Sequence, residues 1–166
     1  MSDSSNSSNT RWKPSVTVAA VVSQGGRYLL VEEVTAEGLR LNNPAGHLDP
    51  GESIVQAVAR EVLEETARPF TAEALVGAYL ARFRHARSGE DITYLRFAIC
   101  GAVGEIIPGR TLDAPIQRTL WMTPDELRAC PERHRSPLVM RCIDDHLAGQ
   151  RAPLHLLHAD PSLYSG

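Results

Sequence analysis

The sequence predicts a single α/β domain, an α/β sandwich built on a mixed β-sheet. Apolar, β-branched runs that are typical of strands occur together with segments of helical spacing. They do not follow the regular βαβ repeat that a doubly wound parallel sheet requires. A chain of 166 residues is also long enough to bury one core without disulfides or a structural metal.

The first half of the chain predicts three strands and one helix. Residues 15–22, SVTVAAVV, form a strand, the Gln24-Gly25-Gly26 turn follows, and residues 27–33 are its hairpin partner. Residues 39–42 are a third short strand. After the polar loop at residues 42–53, Ser53 and Gln56 have the form of a capping box, which predicts a helix from Ser53 to no later than Arg68.

The second half predicts three more strands and two helices. Residues 75–84 and 93–102 are strands joined by the polar turn HARSGED, and residues 118–122 are another. Thr123-Pro124-Asp125-Glu126 begins a short helix that ends at Ala129. Ser136-Pro137 repeats this start signal and predicts a helix over residues 138–147.

The ends of the chain set the predicted domain limits. Residues 1–10 are nearly all Ser, Asn and Thr, so we expect a disordered tail over residues 1–11. The folded domain is predicted over residues 12–158, and residues 159–166 form a C-terminal tail.

Composition excludes several classes of function. A formal charge of −3 lacks the basic excess that attracts nucleic acid polymers. No apolar run has the roughly 18 residues of a membrane span, and the N-terminus is polar. The three cysteines, Cys100, Cys130 and Cys142, show no zinc-site or disulfide pattern. We therefore expect a cytoplasmic protein with reduced thiols and no membrane partner.

The predicted helix after Ser53 carries three acids on one face. Residues three and four apart share a face, so Glu61, Glu64 and Glu65 cluster while Val58 and Val62 point to the core. One interpretation is a solvated acidic surface. The other is a site for a hard divalent cation, because carboxylate oxygens bind Mg²⁺ or Mn²⁺ and the metal reverses the repulsion.

The residues before the cluster favour the metal site. Gly46 is followed after five residues by Glu52, then after seven by Arg60-Glu61-Val62, one residue, and Glu64-Glu65. This pattern resembles the Nudix hydrolase box, G-x5-E-x7-R-E-U-x-E-E-x-G-U, where U is aliphatic. Ala67 and Arg68 depart from the box, where Gly and an aliphatic residue are usual. We expect Pro69 to end the helix in place of that Gly.

The resemblance extends over nearly the whole chain after Thr10. The segments WKPSVTVAAVV, LLVEE, NNPAGHLDPGES, YLRFAI, LWMTPDEL and HRSPLV are similar to the NudJ-type phosphatase branch of the Nudix superfamily. The resemblance implies the Nudix fold, an α/β/α sandwich with a mixed β-sheet. It also implies a Mg²⁺-dependent hydrolase of nucleoside tri- and diphosphates and of hydroxymethylpyrimidine pyrophosphate that releases orthophosphate, with Mn²⁺ as a possible substitute cofactor.

The family pattern also implies roles for individual residues. Glu61, Glu64 and Glu65 bind the metal with the Gly46 carbonyl, and Glu61 or Glu64 is the candidate catalytic base. Glu52 and Arg60 form a supporting ion pair, with independent surface charges as the alternative. Asp113 is an alternative base from a later loop or, equally, a turn former.

Substrate contacts are predicted from the strands that flank this site. Arg82, Arg84 and Arg96 are candidates to hold terminal phosphates, and His47 to contact a phosphate or to bond within its loop. The candidates for stacking on a base are Trp12, Tyr28, Tyr79 and Tyr94, each with a core role as the alternative.

Three interpretations of the whole protein remain open from sequence. The first is the NudJ-like phosphatase, with a small phosphorylated substrate, acting as a monomer or homodimer. The second is a pyrophosphohydrolase of ADP-ribose or a dinucleotide. The third is a non-catalytic Nudix ligand-binding module, although such modules often lose box carboxylates and this chain retains all four.

Overall fold

The computed structural model of the protein describes residues 11–84 and 89–165. The predicted disorder of residues 1–10 and part of the predicted HARSGED turn lie outside these ranges. The strands are β1 (Ser15–Gln24), β2 (Arg27–Thr35), β3 (Gly38–Asn42), β4 (Ala45–His47), β5 (Phe70–Arg84), β6 (Asp91–Val103) and β7 (Ile116–Met122). The α-helices are α1 (Ile54–Thr66), α2 (Pro124–Arg128) and α3 (Leu138–Leu147), and 3₁₀ turns occur at Pro131–Arg133, Leu154–Leu156 and Pro161–Tyr164.

The seven strands form the predicted mixed sheet. Their order is β3-β2-β1-β6-β5, with β4 paired to β1 and β7 paired to β2. β1 runs parallel to β6, and the other pairings are antiparallel. β1 meets β2 only near their shared turn, at Ser23 and Gln24, so β2, β3 and β7 diverge from the rest of the sheet.

Alternation along β1 places a layer of helix on each side of the sheet. Side chains of successive residues point to opposite faces of a strand. Val18, Ala20 and Val22 join a buried cluster with Val58 and Val62 of α1. Val21 joins a second cluster with residues of α2 and α3: Leu127, Val139, Cys142 and Ile143. The α/β/α sandwich is therefore confirmed.

Local signals placed the start of α1 and the limit of its end at Arg68 correctly, but not the way in which the helix ends. Ser53 accepts a hydrogen bond from Gln56 N, and Ser53 N donates to Gln56 Oε1, so the capping box forms. The expectation that Pro69 replaces the glycine-type ending is wrong. Ala67 itself takes the left-handed conformation, with φ 55°, and its N–H donates to Leu63 O.

Two strands differ most from the sequence prediction, and the others differ from it by one or two residues at their ends. β4 lies within the segment predicted as a loop, and its Ala45, Gly46 and His47 pair with Ala19, Val18 and Thr17 of β1. β5 begins at Phe70 rather than residue 75, because its first residues pair with the end of β6 through two register shifts. Within the described residues, no helix is long and apolar enough to span a membrane.

Candidate active site

The acidic face of α1 lies against β4. Glu61 and Glu65 are buried, with 8% and 7% of their surface exposed. The Glu64 side chain is a third exposed. Ala45 N donates to Glu65 Oε2 at 2.9 Å. A Cβ added to Gly46 would lie only 2.1 Å from Glu61 Oε1, so this position requires glycine for the carboxylate to approach the strand.

Arg60 connects these acids to the preceding loop. Its Nε and Nη2 donate to the two oxygens of Glu52 at 3.0 and 2.7 Å. Its Nη1 donates to Glu61 Oε1 at 2.8 Å and to Glu64 Oε2 at 3.1 Å. Nη2 also donates to the His47 carbonyl at 2.9 Å. One guanidinium therefore holds the loop, β4 and the helix in a fixed relation.

Glu52 is anchored from both sides. Besides the two bonds from Arg60, its Oε1 accepts a hydrogen bond from Asp49 N at 2.7 Å. The Arg60 guanidinium lowers the pKa of Glu52, and the Asp49 bond adds to this effect. The pair is bidentate and partly buried, which is the arrangement in which such ion pairs contribute most to local order.

Burial raises the pKa values of the two buried acids of α1. Burial raises the pKa of Glu65 to about 8, and the carboxylates of Glu61, Glu33 and Asp113 add to the effect. Burial also raises the pKa of Glu61, although Arg60 opposes this shift. Both shifts reflect negative charge gathered in a poorly solvated place.

The donor set of this face fits a hard divalent cation. Three carboxylates and the backbone of Gly46 offer oxygen ligands of the kind that Mg²⁺ prefers, and a cation would relieve the repulsion that raises the pKa values of Glu61 and Glu65. Among the described residues, no three His, Cys, Asp or Glu side chains have the arrangement of a preformed metal site. Arg60 bonds to both Glu61 and Glu64 here, so these two acids would exchange a guanidinium contact for an ion.

Asp113 lies in the loop before β7 and contacts the C-terminal end of α1. Its N–H donates to Glu64 O at 3.1 Å, and its carbonyl accepts from Ile116 N at 2.9 Å. The second bond closes a turn, and the carboxylate is near enough to Glu61 and Glu65 to raise both of their pKa values. Both roles considered for Asp113 from sequence therefore stay open.

A cavity of about 330 Å³ opens beside β4. Ala45 and Gly46 belong both to its wall and to the contacts with Glu65 and Glu61. The volume is at the lower end of the range for small-molecule sites. The other lining residues come from all strands from β1 to β6, the turn between β2 and β3, and the segment that leads into and begins α3: Thr17, Glu33, Glu37, Asn42, His47, Phe83, Arg84, Tyr94, Arg96, Arg135, Ser136 and Leu138.

The arginines predicted to contact substrate lie in three different environments. Arg82 is exposed, forms an ion pair with Asp91 and does not line the cavity. Arg84 lines the cavity but is also exposed, and its Nε donates to Asp91 Oδ2 at 3.2 Å. Arg96 lines the cavity and is buried, with 8% of its surface exposed.

Of the predicted ring contacts, His47 and Tyr94 line the cavity. Their ring centroids are 6.2 Å apart. Tyr28 instead bonds to His146, and Tyr79 donates to Asp145 Oδ2 at 2.9 Å. Trp12 is 69% exposed and does not line the cavity.

Sequence reasoning missed several lining residues, among them Thr17, Asn42, Phe83 and Arg135. Thr17 and Asn42 lie on strands whose pattern shows burial but not the face of the sheet. Arg135 reaches the cavity because its N–H bonds to Leu41 O and its side chain lies 3.5 Å from Glu33. In this part of the cavity wall, the only feature that local sequence predicted was the helix start at Ser136-Pro137.

Comparison with known proteins identifies the class to which this fold and site belong. The NUDIX domain model matches residues 12–142, which is well over half of the chain. The protein therefore belongs to the Nudix family, and it is a hydrolase that acts on pyrophosphate bonds.

The chain is similar to individual Nudix proteins of known name or structure. The phosphatase NudJ of Escherichia coli K12 is 34% identical over 149 residues, covering 88% of this chain and 92% of the relative. A Nudix hydrolase structure from Nitrosomonas europaea is 51% identical with a TM-score of 0.82, covering 89% of this chain and 98% of that one. A UDP-X diphosphatase structure, at 17% identity and a TM-score of 0.65, shares the fold and covers 89% of this chain and 70% of that one.

Proposed function

We propose that the protein is a Mg²⁺-dependent phosphatase that hydrolyses the phosphoanhydride bonds of nucleoside tri- and diphosphates and of hydroxymethylpyrimidine pyrophosphate, releasing orthophosphate. The observation that carries the proposal is that Glu61 and Glu65 contact β4, which also lines the cavity, while Arg60 joins Glu61 to Glu64. The similarity to phosphatase NudJ over most of the chain supports this reaction.

In this proposal the acids of α1 bind the metal and accept the proton. Glu61, Glu64 and Glu65 supply carboxylates, with the Gly46 carbonyl, to hold Mg²⁺, and bound Mg²⁺ would neutralise the charge of the diphosphate and template attack by water. Glu61 or Glu64 accepts a proton from the attacking water. Glu64 is the more exposed of the two, which gives it easier access to solvent, whereas Glu61 has the pKa raised by burial.

Glu52 and Arg60 are positioning residues in this proposal. Their bidentate contact holds the loop before α1 at a fixed distance from the helix, and Arg60 also orients Glu61 and Glu64. Their role is to keep the carboxylates in the geometry required for catalysis.

The second candidate is internal cleavage of ADP-ribose or a dinucleotide. The products distinguish the two. The purified protein is incubated with Mg²⁺ and a panel of ADP, CTP, hydroxymethylpyrimidine pyrophosphate, ADP-ribose and a diadenosine polyphosphate, and products are separated by ion-exchange chromatography. Orthophosphate from the first three supports our proposal, whereas AMP with ribose phosphate from ADP-ribose, and no orthophosphate, would overturn it.

A further inference from the structure

Arg96 is a buried cation whose donors are not all used. It lies on β6, is 8% exposed, and its Nε and Nη1 have no hydrogen-bond partner. The other two cavity arginines each have an acidic partner: Arg84 with Asp91, and Arg135 with Glu33. A buried donor of a charged group is costly to leave without an acceptor, so a ligand that supplies acceptors would gain affinity at this position.

The groups around Arg96 include acceptors as well as donors. Asn42 Nδ2 donates to Glu33 Oε1 at 3.3 Å. Because a carboxylate only accepts, this contact fixes the amide orientation and leaves Asn42 Oδ1, a buried acceptor, without a partner. Thr17 Oγ1, which can donate or accept, is also buried and unpartnered. All three residues line the same cavity.

A wall that presents both hydrogen-bond donors and acceptors does not match a phosphate. Phosphate oxygens accept hydrogen bonds, so a phosphate site presents donors, and the Asn42 carbonyl and the nearby Glu33 carboxylate would oppose it. The edge of a nitrogen heterocycle carries both acceptors and N–H donors, and such an edge satisfies Arg96 and Asn42 together.

The more exposed side of the cavity is suited to a flat ring. Phe83 and Tyr94 lie edge to face with centroids 5.7 Å apart, and His47 lies beside Tyr94. Aromatic side chains favour planar heterocycles through stacking and edge contacts. The cavity also adjoins Ala45 and Gly46, which contact the carboxylates of α1.

We propose that this cavity binds the heterocyclic ring of the substrate, with Arg96 donating to a ring acceptor and Asn42 Oδ1 accepting from a ring N–H, while the phosphates extend past β4 to the α1 carboxylates. This proposal rests on the proposed function, because the ring is the organic part of the same substrate. It assigns Arg96 to ring recognition, whereas the sequence alone suggested a terminal phosphate.

Binding of compounds without phosphate tests the proposal directly. The ¹⁵N-labelled full-length protein is titrated with cytidine, guanosine and free hydroxymethylpyrimidine, and separately with tripolyphosphate as a probe without a ring. We expect at least one ring compound to shift the backbone amides of Asn42, His47 and Arg96. Arg96→Gln should weaken that binding about tenfold, the loss expected for a hydrogen bond from a charged donor, and change tripolyphosphate binding by less than twofold.

The matched control is Arg128→Gln, the same substitution at a surface arginine of α2 that pairs with Asp125 and Asp144. It should leave ring binding unchanged. If Arg96→Gln does not fold, Tyr94→Leu replaces it and should weaken ring binding several-fold without affecting tripolyphosphate.

Two results would overturn the proposal. In the first, no ring compound binds the wild type. In the second, Arg96→Gln, or Tyr94→Leu in its place, weakens the binding of tripolyphosphate as much as it weakens the binding of the ring compound. Failure of this proposal is distinguishable from failure of the proposed function. Ring binding without hydrolysis of any anhydride would refute the proposed phosphatase function but not the ring site. Hydrolysis without ring binding would refute the ring site but not the phosphatase function.

Discussion

At the scale of single residues, Arg60 explains how three neighbouring carboxylates coexist on one helix face. Each of its three nitrogens donates to the site, and together they contact Glu52, Glu61, Glu64 and the His47 carbonyl. These acids in turn hold the guanidinium charged, since they raise the pKa of Arg60 further above its already high ordinary value. The like charges of the α1 acids are thereby partly compensated within the protein.

The Glu52 contact gives a prediction for catalysis. Glu52→Gln removes the carboxylate that both fixes Arg60 and accepts from Asp49 N. Because groups that orient metal-binding residues typically contribute 10–100-fold to activity, we expect kcat/KM for a nucleoside diphosphate to fall at least about tenfold. Steady-state kinetics measures this change. Glu132→Gln, at an exposed glutamate of the 3₁₀ turn Pro131–Arg133, is the control, and equal activity of the two variants would contradict the positioning role.

His146 gives a prediction for stability against pH. Its Nδ1 lies 2.7 Å from Tyr28 Oη, and burial, with a contribution from Arg151, lowers its pKa from 6.5 to about 4. The unfolded chain therefore binds a proton between pH 6.5 and 4 that the folded chain does not bind. This difference leaves stability intact above pH 6.5 and lowers it as the pH falls towards 4.

Urea denaturation at pH 7.5 and pH 5 checks this sign. We expect the wild-type midpoint to fall more between the two conditions than the midpoint of His146→Gln, which cannot take up the proton. An equal fall in both proteins would show that the neutral form of His146 does not contribute.

At the scale of elements, the structure shows which features local sequence determines. The start of α1 was predicted from its capping box and the start of α2 from an N-cap residue followed by Pro and acids, because each signal lies within four consecutive residues. β4 was missed because its three residues become a strand only by pairing with β1. Gly46 was singled out by the box resemblance, but its close approach to Glu61 depends on that same pairing.

The end of α1 gives a prediction about backbone strain. Ala67 has φ 55°, a conformation that costs a residue with a Cβ roughly 1–2 kcal/mol. Ala67→Gly should therefore stabilise the protein by about 1 kcal/mol, after the entropy of the more flexible unfolded chain is subtracted. Chemical denaturation measures the difference in the free energy of unfolding.

Ala148, the residue that follows α3, is the matched control. Its φ is −69°, so glycine relieves no strain there, and Ala148→Gly should destabilise the protein by about 0.5–1 kcal/mol. If both substitutions destabilise the protein, the left-handed conformation of Ala67 carries no net cost.

At the scale of the whole molecule, the sandwich brings distant segments into one site. β1 lies between β4 and β6, so the carboxylates of α1, at residues 61–65, and Arg96 of β6 are joined through neighbouring strands. The proximity of the α1 acids to Gly46 was predictable from sequence because these residues lie within 20 positions of one another. The cavity half was only partly predicted, since its residues range from Thr17 to Leu138 and depend on strand order for their proximity.

The central claim is that the carboxylates of α1 perform metal-dependent hydrolysis of a phosphoanhydride. The most direct measurement is orthophosphate release from a nucleoside diphosphate with Mg²⁺, compared among wild type, Glu64→Gln and Glu73→Gln, with thermal unfolding of each protein measured in parallel. Glu73 is an exposed glutamate on β5. We predict Mg²⁺-dependent release by wild type and Glu73→Gln and a loss of at least about 100-fold in Glu64→Gln, the scale typical of removing a catalytic base, with unfolding temperatures unchanged. Equal release by wild type and Glu64→Gln would contradict the account.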